Sequence, residues 1–66
     1  MQIKVRLRGT LHTVIVPEKS TVSDAARKVG VYPNSAIFII DGKIVPSDNP
    51  LKDGIELSVL PAASGG

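Results

Sequence analysis

The chain is predicted to form an α+β domain, with one helix packed on one face of a mixed four- to five-stranded sheet. Three observations predict it. Met1–Arg8 and Ile55–Leu60 alternate apolar and polar residues with period two, as half-buried strands do. A single stretch, Val22, Ala25, Ala26 and Val29, repeats at helical spacing. Asp41-Gly42 separates two apolar runs, which is a strong two-residue hairpin signal.

Each element has its own local reason. In the first strand Ile3, Val5 and Leu7 share one face, while Gln2, Lys4, Arg6 and Arg8 share the other. Gly9-Thr10 is a turn signal, and His12–Val16 is a second β-rich run closed by Pro17. The inward set of this second strand is His12, Val14 and Val16 or the alternate set Leu11, Thr13 and Ile15; period alone leaves both open. Thr21 is placed to cap a helix of about nine residues, with Asp24 three residues on as a capping-box variant. Arg27 and Lys28 suit the last turn, and Gly30 is placed to end the helix in the left-handed region. After a loop over Val31–Ser35 come the strands Ala36–Ile40 and Lys43–Val45, joined by Asp41-Gly42. Leu51 is expected to plug the turn-rich segment after Pro46. Asp53-Gly54 then turns the chain into the last strand, which Pro61 should end. The order β-β-α-β-β-β implies two layers, with the first and last strands central and parallel. Residues 1–60 form the domain, and residues 61–66 read as a flexible tail.

Composition narrows the function. Sixty-six residues make one domain with little core to spare. The longest uninterrupted apolar run, Ala36–Ile40, is too short for a transmembrane helix or a signal peptide, so a soluble, cytoplasmic protein is expected. The sequence has no cysteine and one histidine, His12, which removes thiol catalysis and most metal and His-dyad chemistry. No phosphate-binding glycine loop is present. Glu18, Asp24, Asp41, Asp48 and Asp53 fall at turns or a cap, and Glu56 lies on a strand's solvent face, so no acid/base pair is marked. A stand-alone enzyme is not expected, and neither is a bound cofactor or metal.

The net charge of +2 is too small to indicate a nucleic-acid binder. Tyr32 and Phe38 are the sole aromatic residues, too few for a base-stacking platform, so direct nucleic-acid binding is not expected. Lys4, Arg6 and Arg8 form a basic stripe that reads as a solvated face or as a dock for an acidic protein partner. If Phe38 and Ile40 face the core, Ile37 and Ile39 face out with Leu60, and Ile15 joins them if Val14 and Val16 point inward. Several aliphatics on one exposed face would form an interface.

The C-terminus carries the most information. Two terminal glycines arise by chance in about 0.5% of sequences, and here they are Gly65 and Gly66. The terminal carboxylate is ionised at neutral pH. With no Cβ on either residue, the backbone can thread a narrow channel. Six residues after the last strand reach up to about 20 Å. The carboxylate could then attack the α-phosphate of ATP in a partner's active site, giving an acyl-adenylate and releasing pyrophosphate.

Met1-Gln2-Ile3, Thr21-Val22-Ser23-Asp24, Ile40 to Pro46, Leu51-Lys52-Asp53-Gly54 and terminal Gly65-Gly66 together resemble a β-grasp, ubiquitin-like protein over the whole chain. The resemblance is nearest to small archaeal ubiquitin-like modifiers and to prokaryotic sulfur carriers of the thiazole-synthesis and molybdopterin-synthase small-subunit types. It implies an E1-like activating enzyme that uses ATP and Mg to adenylate the Gly66 carboxylate. The adenylate then becomes a thiocarboxylate for tRNA thiolation or molybdopterin synthesis, or forms an isopeptide bond with a target lysine. Pro61, Ala62, Ala63 and Ser64 would be the tail segment that is recognised. Ile39 and Leu60 match the docking patch of the ubiquitin fold, with Ile15, Arg6 and Arg8 as further docking candidates. The tail has no arginine, unlike eukaryotic ubiquitin, and its Pro61 and Ser64 resemble the tail of molybdopterin synthase small subunits. Partners would be the activating enzyme and either target lysines or a sulfur-accepting enzyme, with the carrier itself a monomer. Lys4, Lys19, Lys28, Lys43 and Lys52 are candidate acceptors for a second copy. The competing reading is a non-catalytic β-grasp module that binds RNA or protein through its basic sheet face.

Overall fold

A computed structural model describes residues 1–62. Its elements run β1 (Gln2–Leu7), β2 (Thr10–Ile15), α1 (Val22–Lys28), a 3₁₀ turn (Pro33–Ser35), β3 (Ala36–Ile40), β4 (Lys43–Val45) and β5 (Glu56–Pro61). The strands form one sheet in the order β2-β1-β5-β3-β4. β1 and β5 are central and parallel, and the other pairings are antiparallel. One helix lies on a mixed five-stranded sheet, as the sequence predicts.

Pairing resolves the register that period left open. Ile3 lies opposite Val14 and Val5 opposite His12, so His12 and Val14 share the helix-facing side with the apolar row of β1. Val16 is buried, whereas Leu11 and Ile15 are exposed on the outer side. The β1–β2 turn falls one residue earlier than Gly9-Thr10. It is made by Arg8 (φ 51°) and Gly9 (φ 79°), a two-residue turn with both central residues in the left-handed region. Asp41 (φ 53°) and Gly42 (φ 77°) repeat that geometry between β3 and β4, where the sequence expects it.

The helix spans seven residues and is shorter than expected. Both the N–H and the hydroxyl of Thr21 donate to Asp24 Oδ2, at 2.8 and 3.3 Å. Carbonyls of the turn-rich segment accept its next two N–H groups: Val22 to Asn49 O (3.0 Å) and Ser23 to Ser47 O (2.8 Å). These orphan donors would otherwise need water. At the other end Val31 N–H reaches Ala26 O (3.0 Å) and Gly30 N–H reaches Arg27 O (3.1 Å), closing the helix around Gly30 at φ 80°. Val22, Ala25 and Ala26 are fully buried against Ile3, Val5, Phe38, Leu57 and Val59, and Leu51 plugs the loop beneath them. The two alanines allow the helix to sit close to the sheet.

β5 starts at Glu56 and continues to Pro61, so proline does not end the strand at Leu60. Pairing with β1 stops at Leu7 opposite Val59, and beyond it β5 is held by β3 alone. The neighbouring ladder bond comes from Ala62, whose N–H donates to Ser35 O at 2.6 Å. Pro61 therefore occupies a position where its missing N–H removes no bond to β3.

Candidate functional site

Alternation along β5 puts Leu57 and Val59 in the core and Glu56, Ser58 and Leu60 on the outer face. On that face Leu60 lies opposite Ile37, Ser58 opposite Ile39, and Ile39 opposite Ile44. Ile37, Ile39, Ile44 and Leu60 thus form one apolar patch across β5, β3 and β4. Ile44 is 74% exposed, Leu60 51% and Ile37 49%, while Ile39 at the centre is half-buried. Leu60 is the last outer-face residue of β5, so the patch ends six residues before Gly66.

The other half of the outer face differs. Lys4 is flanked by Thr13 and Glu56, and Arg6 by Leu11 and Ser58. Arg6 Nε donates to Glu56 Oε2 at 3.1 Å, with both side chains about half exposed. An acid therefore interrupts the expected basic stripe. Ile15 faces outward but lies opposite Gln2, at the corner away from the patch. Arg8 sits in the β1–β2 turn beside Pro61 and Ala62. Ile44 is the main addition, while Ile37, expected to face out, joins the docking candidates Ile39 and Leu60 in the patch. The register that places Ile44 beside Ile39 was the missing information.

Lys4, Lys19, Lys28, Lys43 and Lys52 are all exposed. Among the described residues, no three His, Asp or Glu side chains are grouped to hold a metal ion, and no helix is long and apolar enough to cross a membrane. Of the tail, Pro61 and Ala62 are described; Ala63, Ser64, Gly65 and Gly66 lie outside the described residues.

The sheet order, with the first and last strands central and parallel, and the single packed helix define a β-grasp, ubiquitin-like protein. A sequence model of the ThiS family matches residues 4–66, and the chain belongs to that family. It is a sulfur carrier whose C-terminal glycine is activated and converted to a thiocarboxylate, and it acts as a carried substrate, not as a catalyst. Membership implies an E1-like activating partner.

Proposed function

We propose that Gly66 is the attachment residue and that the activating enzyme grips the outer apolar patch while it takes the tail. In the enzyme's site, a carboxylate oxygen of Gly66 attacks the α-phosphorus of ATP, with Mg on the nucleotide. A P–O bond forms, the bond to pyrophosphate breaks, and pyrophosphate leaves. A sulfur nucleophile at the sulfide level then adds to the acyl carbon and expels AMP, leaving the thiocarboxylate. Gly65 gives the backbone room to enter, and Pro61, Ala62, Ala63 and Ser64 form the strap that is recognised. The match through residue 66, with Leu60 of the patch at the tail root, carries this reading.

Because Ala62 is bonded to Ser35, the four residues beyond it span at most about 14 Å. The reacting phosphate must therefore lie close to the docked body. Docking contributes through Ile37, Ile39, Ile44 and Leu60, with Arg6 at the rim. Sulfur delivery to thiazole, molybdopterin or thiolated tRNA, and transfer to protein lysines, differ only in what accepts the acyl or sulfur group.

The test is the intact mass of the carrier after incubation with its activating enzyme, ATP, Mg and a sulfur source. Exchange of one oxygen for sulfur, mapped to Gly66 by fragmentation, is expected. An unmodified terminus with an enzyme proven active on another carrier would refute the proposal. Conjugates linked through Gly66 would add protein tagging.

A further inference from the structure

A second feature borders the tail root on the helix side of the sheet. Pro61 follows Leu60, so strand alternation turns it to the face opposite the apolar patch. There a groove of about 280 Å³ is lined by Arg8, Val31, Tyr32, Ser35, Pro61 and Ala62. A neighbouring groove of similar size contains Arg27 and shares Gly30, Val31 and Tyr32 with it. None of the described residues lining either groove is acidic. Tyr32 stands between them and is 80% exposed, the most exposed of the large apolar and aromatic side chains.

The fold fixes how Tyr32 is presented. The helix stop around Gly30 holds Val31 to Ala26 O on one side, and Ser35 N–H donates to Tyr32 O at 2.9 Å on the other. The helix dipole explains a cation at Arg27, but it explains neither the exposed aromatic ring nor Arg8. Ion pairs among the described residues are Met1–Glu18 and Arg6–Glu56, and they involve neither Arg8 nor Arg27. An exposed aromatic side chain that shares one groove with Arg8 and the next with Arg27 has the composition of a protein-binding anchor. Its charge selects carboxylates, which arginine binds through paired N–H donors.

We propose that this helix-side groove docks an acidic segment of the sulfur-accepting enzyme, so that the carrier's two successive partners hold opposite faces of the sheet at the same tail root. This rests on the sulfur-carrier reading above. The two faces diverge at Leu60 and Pro61, so a partner seated on the outer patch leaves Tyr32 and Arg27 uncovered. Carboxylates of the segment bind Arg8 and Arg27, and its aliphatic carbons cover Tyr32, Val31 and Pro61.

The experiment starts from the carrier prepared chemically as its thiocarboxylate and the cognate sulfur-accepting enzyme. Transfer from the wild type shows that the sulfur-carrier reading holds in the same assay. Tyr32→Ser and Arg27→Glu are then compared singly and together, with pyrophosphate exchange by the activating enzyme measured in parallel. The double variant is expected to raise the KM for sulfur transfer roughly tenfold while exchange stays within about twofold of wild type. Both side chains are exposed, so Tyr32→Ser should leave the melting curve in place, whereas Arg27→Glu puts an anion in the last helical turn and should lower it by a few degrees, and both assays are run well below that melt. Affinity of the wild-type carrier for the acceptor should also fall as salt rises, a measurement independent of any variant. Unchanged transfer, a parallel loss of exchange or a salt-independent complex would each overturn the proposal. Faster exchange in the variants would also overturn it, because the occupant would then be the chain's own terminal carboxylate.

Discussion

The two faces of the sheet use the same residue types for different ends. On the helix side Ile3, Val5, Leu57 and Val59 are sealed from water. On the outer side Ile37 and Leu60 remain about half exposed and Ile44 more so. Leu57 and Leu60 lie three residues apart on one strand, yet alternation sends one into the core and leaves the other open. Exposed aliphatics contribute little to folding, so an apolar cluster on an open face is surface available to a partner. In a carrier that must hold an enzyme while its terminus reacts, the closed face supplies stability and the open face supplies binding.

Substitution within each face breaks the comparison most sharply. Leu57→Ala should cost about 2–5 kcal/mol of unfolding free energy, read by urea denaturation, while Leu60→Ala should stay within about 0.5 kcal/mol of wild type. An equal loss at both positions would mean that the outer patch is part of the core. Next in size is the effect on binding. Ile39→Asp should weaken the complex with the activating enzyme by about 1–3 kcal/mol, measured by calorimetry. Asp24→Ala removes the carboxylate that accepts the Thr21 N–H and hydroxyl and should cost about 1 kcal/mol of stability without altering enzyme affinity. The smallest expected effect is at Arg6 and Glu56. A double-mutant cycle at this half-exposed pair should give no more than about 0.5 kcal/mol, and less as salt rises.

The parts of the fold legible in the sequence were those set by local chemistry. Asp41-Gly42 fixes its hairpin because both residues tolerate the left-handed region that the turn requires. Thr21, Asp24 and Gly30 mark the helix ends for similar reasons. The parts that were not legible depend on distant pairing. Arg8 enters the left-handed region because Leu7 pairs with Thr10, and arginine carries no signal for that conformation. The strand through Pro61 is explained by where β1 ends, a fact about another segment. The same holds for function. The diglycine and Leu60 could be read directly, whereas Ile44 joins the patch only through its partner Ile39. Tyr32 gave no periodic signal because it lies between elements, and its neighbours Arg8 and Arg27 come from the C-terminal ends of two others, β1 and α1.

The division between the two faces is tested most directly by the adenylation kinetics of two outer-face variants with matched melting temperatures, Ile44→Asp in the patch and Thr13→Asp across the sheet. The expected result is a KM for the carrier raised roughly tenfold by Ile44→Asp and left within about twofold by Thr13→Asp, with kcat unchanged in both. Equal effects at the two positions, or none at Ile44, would contradict the assignment of the patch as the surface that the activating enzyme holds.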